Sequence, residues 1–128
     1  MKYTLVIQVP PTRAAIARSA LHFARALVAQ HEIFRVFFYG DGVFWANQNI
    51  VAPQDEDDLS MQWREFIQEH SLDAVVCIAT AIQRGLLDEN ECQRYERLGQ
   101  SISSPYELSG LGQLVESLAL SDRVVSFQ

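Results

Sequence analysis

The 128-residue chain is 48% hydrophobic and 20% charged, a balance typical of a globular protein with a core of its own. Its formal net charge of -6 argues against non-specific binding to nucleic acid, which requires a basic surface. Two cysteines, Cys77 and Cys92, without a CxxC motif argue against a disulfide scaffold and a thioredoxin-type redox pair. The start of the chain lacks a signal-peptide pattern, and no apolar stretch approaches the length of a membrane span. We therefore expect one domain over residues 1–128 in the cytoplasm, where a free thiol stays reduced.

The first part of the chain alternates between predicted strands and a predicted helix. A run of β-branched and other apolar residues predicts a strand over residues 3–9. The one-sided spacing of apolar residues, Phe23 among them, predicts a helix over residues 13–30 that packs on the sheet, with Thr12 as its N-cap. A second strand is predicted over residues 33–39.

The next segment combines bulky aromatic residues with an acidic break. Phe44 and Trp45 are expected either to cover the core or to anchor an interface. Asp57 or Asp58 is the expected cap of a second long helix, because carboxylates at a helix start accept free backbone N–H groups.

The stretch from Ser71 to Gly85 is the centre of the predicted fold. The apolar residues 74–78 predict a strand buried on both faces, with Cys77 near its carboxyl end. The following residues suit a turn into a short helix, which Gly85 can end. Chemistry in open α/β sheets gathers at the carboxyl ends of strands, and N–H groups at a helix start can stabilise a thiolate. Cys77 is therefore either a reactive thiol or a small buried apolar residue.

The last part of the chain returns to short elements. Asp88 and Glu91 predict a capping box for a short helix that holds Cys92 on a mostly polar segment. A very short strand over residues 106–108, a helix and a last strand over residues 123–127 follow. Ser109 is the expected cap of that helix, whose apolar residues share one face: Leu111, Leu114, Val115 and Leu118.

This alternation predicts the fold class. We expect an α/β domain of three layers, with a mainly parallel five-stranded sheet and helices on both faces.

Other candidate sites are weaker. The three histidines, His22, His31 and His70, lack metal-ligand spacing, so surface or capping roles are expected, although a Cys–His pair formed in space stays open. Gly110 and Gly112 resemble part of a dinucleotide-binding loop, but position 115 is valine where that motif needs glycine. Arg84 either favours a thiolate at Cys77 or is solvated.

Several stretches together resemble the DsrE-like sulfur-relay family. They are FFYGDGVFWANQN, VVCIATAIQRG and YELSGLGQLVESLALSDRVVSF, with the opening strand and its amphipathic helix. Within that family, the resemblance is to the TusD-type subunits of the bacterial tRNA 2-thiolation relay, and it covers essentially the whole chain. It implies a sulfurtransferase in which Cys77 accepts sulfane sulfur as a persulfide and passes it to an acceptor protein. Cys92 matches no functional family position.

The resemblance also implies partners. They are TusB-like and TusC-like subunits in a heterohexamer, a TusA-like sulfur donor and a TusE-like sulfur acceptor, with no cofactor, metal, membrane or direct nucleic-acid contact. Two alternatives stay open. One is a DsrE-type subunit of a sulfur-oxidation relay; the other is a non-catalytic scaffold in which Cys77 is buried and inert.

Overall fold

Five parallel strands form one sheet in the computed structural model, which describes residues 1–128. The strand order is β4-β3-β2-β1-β5, and every neighbouring pair is parallel. The predicted α/β fold is thus confirmed. The strands are β1 (Lys2–Ile7), β2 (Glu32–Phe38), β3 (Ala74–Cys77), β4 (Tyr106–Ser109) and β5 (Arg123–Phe127).

Helices connect the strands in the predicted order, and their ends differ from the predicted ones by one to two residues where a range was predicted. None of them is long and apolar enough to cross a membrane. They are α1 (Ala14–Val28), a 3₁₀ helix (Gly40–Ala46), α2 (Leu59–Glu69), α3 (Ile78–Gln83), α4 (Glu89–Arg94) and α5 (Gly112–Leu120).

The main core lies on one face of the sheet, beneath α1 and α2. The chain steps in one direction from β1 to β4, and right-handed crossovers then place the intervening helices on the same face. Ala17 and Leu21 of α1 and Trp63 of α2 are fully buried there, in a cluster of 24 buried residues. Phe23, which the helical spacing placed on the inner face of α1, is instead exposed at the sheet edge against Phe127.

The opposite face is covered much more thinly. The connection from β4 to β5 runs back across the sheet, and this reversal places α5 on the second face. The buried apolar cluster on that face has only three residues, Phe37, Val75 and Cys77. The predicted three layers are present, but one layer consists mainly of a single nine-residue helix.

The apolar side chains of α5 do not pack as the sequence predicts. Leu111, Val115 and Leu118 are exposed, whereas Leu114 alone of the predicted face packs inward. The expectation of one apolar face buried on the sheet is therefore wrong for α5. The physical reason is that the sheet beneath the helix presents the polar side chain of Arg35.

Two predicted helix caps are also wrong. Residue Arg13 occupies the N-cap position of α1, because its N–H donates to the Pro10 carbonyl and leaves Thr12 in the turn. Ser109 is the last residue of β4, and α5 is preceded by Leu111 without a side-chain cap.

Two other caps are confirmed. The Asp58 carboxylate accepts from the Met61 N–H over 3.0 Å at the start of α2. Asp88 accepts from the Glu91 N–H over 2.9 Å at the start of α4. Both bonds satisfy a backbone donor that has no partner within the helix.

Trp45 covers the core rather than presenting a surface anchor. It is 2% exposed, and its Nε1 donates to the Val9 carbonyl over 2.7 Å. The neighbouring Phe44 is partly buried against the same core. Gly42 lies directly on the end of β1, where a Cβ atom would overlap the Ile7 carbonyl oxygen. These contacts fix the 3₁₀ helix at the carboxyl edge of the sheet.

Candidate functional site

Cys77 is the last residue of β3 and immediately precedes α3. All four residues of β3 are buried, as the apolar run predicts. The short helix then ends at Gly85, whose φ of 77° is unfavourable for other residues. The N–H groups of Gly85 and Leu86 donate to the carbonyls of Ile82 and Ala81, which forms a Schellman motif. The predicted placement of the thiol between a strand end and a helix start is thus observed.

The surroundings of the Cys77 side chain are apolar. Cys77 is 1% exposed and clusters with Phe37 and Val75. Tyr39 and Leu114 pack against this cluster from its outer side, and the rings of Phe37 and Tyr39 stack with centroids 6.4 Å apart. A sulfur atom in this position reaches solvent or another protein only after a neighbouring side chain moves.

Arg84 donates its hydrogen bonds to groups other than the Cys77 thiol. Its Nε donates to Asp41 over 3.0 Å, and its Nη1 donates to the Thr80 carbonyl over 3.0 Å. Thr80 Oγ1 in turn donates to the Cys77 carbonyl over 3.4 Å. The guanidinium therefore ties α3 to the 3₁₀ helix, and its hydrogen bonds do not include the thiol.

The histidines lie away from Cys77. None of the three is among the residues that surround the thiol. His22 lies in α1 and His70 directly follows α2, and both helices pack on the opposite face of the sheet from the Cys77 cluster. His22 is exposed, and His70 is the C-cap of α2, which agrees with the expected surface and capping roles. No group of three or more His, Cys, Asp or Glu side chains is arranged to hold a metal ion.

Cys92 lies within α4, as predicted, but its side chain is only 8% exposed. Asp88 forms its half of the predicted capping box. Glu91 does not form the other half; its buried Oε2 has no hydrogen-bond partner and lies 3.9 Å from Arg94 Nε. Both cysteines are free thiols, so burial alone does not distinguish Cys77 from Cys92.

A buried arginine beside the Cys77 cluster was not identified from the sequence. Arg35 of β2 lies beneath α5, where its guanidinium contacts the carboxylates of Asp73 (2.7 Å) and Glu116 (3.0 Å). Its Nη1 also donates to the Gln113 carbonyl (2.9 Å) and to Ser117 Oγ (3.1 Å). Burial lowers the pKa of Arg35, but the hydrogen bonds and charges of the two carboxylates outweigh burial and raise it overall. The sequence feature that could have indicated a buried arginine is the single cation in the otherwise apolar strand IFRVFF.

The family follows from comparison with known proteins. A model of the DsrE/DsrF-like family matches residues 1–127. The chain belongs to this family. A solved structure titled as the ychN protein from E. coli has the same fold, with a TM-score of 0.77, 19% identity and 99% of each chain covered.

Full-length relatives within the DsrE/DsrF-like family carry sulfurtransferase names. The "Sulfurtransferase TusD homolog" of Pseudomonas aeruginosa is 50% identical, covering 99% of this chain and 97% of that protein. The "Putative sulfurtransferase DsrE" of Allochromatium vinosum is 41% identical, with 99% and 98% covered. The "Sulfurtransferase TusD" of Cronobacter sakazakii is 40% identical, with 99% and 100% covered. The family predicted from the sequence is confirmed. The sulfurtransferase names of these relatives also support the predicted enzyme class.

Proposed function

We propose that this chain is a sulfur-relay sulfurtransferase that receives sulfane sulfur as a persulfide on Cys77 and passes it to an acceptor protein, for 2-thiolation of the tRNA wobble uridine. The observation that carries the proposal is the position of Cys77. It is the one cysteine at the carboxyl end of a sheet strand, where α/β proteins gather their chemistry. Sequence identity of 50% to a TusD homolog supports the choice of pathway.

The chemistry needs two thiol exchanges and no net redox change. In the first, the Cys77 thiolate attacks the outer sulfur of a donor persulfide; an S–S bond to Cys77 forms, and the donor's S–S bond breaks to leave a donor thiolate. In the second, an acceptor cysteine thiolate attacks the outer sulfur of the Cys77 persulfide, and the Cys77 thiolate leaves. Protons are exchanged with solvent, so no separate acid/base pair is required. The apolar surroundings from Phe37, Tyr39 and Leu114 shield the persulfide from water between the two steps.

The relay operates through protein partners. TusB-like and TusC-like chains complete a heterohexamer, a TusA-like protein donates sulfur, and a TusE-like protein accepts it. The support in this chain is an unusual set of exposed apolar side chains on α5 and the edge strand β5, because large exposed apolar patches mark interaction surfaces. They are Leu111, Val115, Leu118 and Val124. Residues 1–128 act in this complex as one sulfurtransferase domain located in the cytoplasm.

Two alternatives rest on specific observations. A DsrE-type subunit of a sulfur-oxidation relay is favoured by the Allochromatium vinosum relative, which matches as well as the Cronobacter TusD. A scaffold with an inert thiol is favoured by the 1% exposure of Cys77.

Labelled sulfur distinguishes the transferase from the scaffold. The purified chain is incubated with a donor protein that carries ³⁵S-persulfide, and label is mapped by peptide analysis. We expect label on the Cys77 peptide and none on the Cys92 peptide. Label on neither peptide would favour the scaffold.

A deletion strain distinguishes the two pathways. Loss of 2-thiouridine from its tRNA, restored by the wild-type gene and not by Cys77→Ser, supports the tRNA relay. Unchanged 2-thiouridine would contradict it.

A further inference from the structure

The burial of Cys77 poses a problem of access. Thiol exchange requires a sulfur of another molecule to approach Sγ along the line of the breaking S–S bond, which a side chain 1% exposed does not permit. Within the cluster, Phe37 and Val75 are buried side chains on neighbouring strands, whose backbone cannot shift without breaking the hydrogen-bonded ladder. The mobile part of the cover is therefore Leu114 of α5 or Tyr39 after β2.

The helix α5 is held to the sheet mainly through polar contacts. Its one fully buried residue is Ser117. Apart from Leu114, its large apolar residues Val115, Leu118 and Leu120 are exposed, and so is Leu111 directly before it. Arg35 binds three groups on one side of the helix, at positions i, i+3 and i+4: the Gln113 carbonyl, the Glu116 carboxylate and the Ser117 hydroxyl. A helix with so little apolar burial has a low free energy of local opening.

The start of α5 is suited to bending. Gly110 and Gly112 lie on either side of Leu111, and glycine gives the backbone more accessible conformations than any other residue. A Cβ atom at either position would meet no atom within 4 Å, so neither glycine is required by close packing. The glycines thus permit motion of α5 without being needed for the closed arrangement.

We propose that α5 is a movable cover over Cys77: Leu114 closes the thiol, Arg35 tethers the helix in the closed position, and the segment from Gly110 to Gly112 is the hinge. Opening lifts Leu114 from the cluster and exposes Sγ to a sulfur donor or acceptor. The inference deepens the proposed function and takes from it only that Cys77 must be reached. In this proposal the opening of α5 sets the rate at which another molecule reaches Cys77, and no residue that reacts with sulfur does so.

Alkylation of the full chain by iodoacetamide tests the cover without any sulfur donor or acceptor. The modification rates of Cys77 and Cys92 are followed separately by peptide mass spectrometry, with Cys92 as the internal reference. Leu114→Ala should raise the rate at Cys77 by about tenfold or more, because it removes the apolar contact that favours the closed helix. Arg35→Gln should raise it similarly. The matched control Leu120→Ala, an exposed residue of the same helix, should leave it unchanged.

Stiffening the hinge should act in the opposite direction. Gly110→Ala fits the open space at that position and should slow Cys77 alkylation by about threefold, because it reduces the freedom of the hinge. Equal acceleration of Cys77 and Cys92 in Leu114→Ala would indicate global unfolding and overturn the proposal. So would a Cys77 rate that responds to Tyr39→Ala and not to Leu114→Ala.

Hydrogen exchange of the unmodified protein provides a test that needs no variant. The N–H groups of Gln113 and Leu114 donate to the carbonyls of Gly110 and Leu111, so bending at the hinge breaks these bonds. Their amides should exchange through local opening, with a rate that depends little on denaturant, while those of β3 exchange only with global unfolding. Identical protection and denaturant dependence for these two amides and for β3 would overturn the cover. Because neither measurement involves sulfur transfer, failure of the cover and failure of the proposed function give separate results.

Discussion

Arg84 Nε donates to Asp41 Oδ1 over 3.0 Å and thereby joins the end of α3 to the 3₁₀ helix that follows β2. Both elements follow neighbouring strands at the carboxyl edge of the sheet, and α3 begins directly after Cys77. The pair is partly exposed, with side-chain exposures of 28% for Arg84 and 59% for Asp41. Its expected role is to align two segments, and its expected contribution to global stability is small.

Neutralising this pair should therefore have a mild effect. Arg84→Gln and Asp41→Asn should each lower the free energy of unfolding by about 0.5 kcal/mol, and high salt should reduce the difference from wild type. A double-mutant cycle by urea denaturation measures the coupling, which should be of the same size. Arg84→Gln should keep sulfur loading on Cys77, because the guanidinium does not bond to the thiol. Loss of loading with an unchanged fold would show that Arg84 acts on the sulfur directly.

The two cysteines should differ completely in sulfur transfer. Cys77→Ser should abolish loading, because serine offers no thiolate at the strand end, whereas Cys92→Ser should retain it. Serine is nearly the same size as cysteine, so the fold should persist. Its hydroxyl in an apolar cluster should nevertheless cost about 1 kcal/mol of stability. Labelled sulfur that remains on Cys77→Ser, or disappears from Cys92→Ser, would identify Cys92 as the acceptor.

Gly42 should be intolerant of any side chain. A Cβ atom there would overlap the carbonyl oxygen of Ile7, and neither the 3₁₀ helix nor β1 can yield without losing packing. Gly42→Ala should lower the free energy of unfolding by about 2–4 kcal/mol, measured by thermal or urea denaturation. Gly99→Ala is the matched control, because its Cβ would meet nothing within 4 Å. Equal stability of the two variants would contradict the close approach at Gly42.

Tyr106 should make the protein sensitive to alkaline pH. Burial raises the pKa of its hydroxyl above the ordinary value of 10.0, an effect that the charge of Arg64 partly offsets. The pKa of Tyr106 is therefore higher in the folded than in the unfolded protein. The free energy of unfolding keeps its full value below pH 10 and falls as the pH rises further, because the unfolded protein loses the proton first.

Tyr106→Phe tests this dependence. The hydroxyl is buried without a hydrogen-bond partner, so its removal should leave stability at pH 7 unchanged or raise it by up to about 1 kcal/mol. Above pH 10 the variant should lose stability less steeply than wild type in urea denaturation. Tyr95→Phe, at an exposed tyrosine, is the control and should follow wild type. Parallel pH profiles for wild type and Tyr106→Phe would contradict the assignment.

The sequence predicts the elements well because their signals are local. The run of β-branched residues before Cys77 and the glycine at position 85 define a strand, a short helix and its end within twelve residues. The caps at Asp58 and Asp88 are equally local. A thiol at a strand end could therefore be predicted from residues that are neighbours in the chain.

The position of α5 and the role of Arg35 could not be predicted from the sequence, because both depend on the order of the strands in the sheet. The reversal between β4 and β5 places α5 alone on the second face, and no local pattern encodes that reversal. Apolar spacing predicts that Leu111 and Val115 are buried, although both are exposed. The role of Arg35 was missed for the same reason, because its partners are 38 and more residues away in the chain.

Replacing Arg35 should destabilise the protein more than replacing any surface cation. Arg35→Met removes a buried guanidinium and leaves the Ser117 hydroxyl, the Gln113 carbonyl and two carboxylates without their common partner. The carboxylates of Asp73 and Glu116 are about half exposed and can return to water, which limits the loss. We expect the free energy of unfolding to fall by about 2 kcal/mol in urea denaturation.

The effect should persist in high salt, because hydrogen bonds to the neutral Gln113 and Ser117 are not screened. It should also persist from neutral to alkaline pH, because the hydrogen bonds and charges of the two carboxylates outweigh burial and raise the pKa of Arg35, which keeps the guanidinium charged there. Arg18→Met is the matched control; its side chain and that of Asp57, 3.9 Å away, are both exposed, and it should cost less than about 0.5 kcal/mol. Equal losses in the two variants would show that α5 is not anchored through Arg35, and the closed position of the helix over Cys77 would then need another cause.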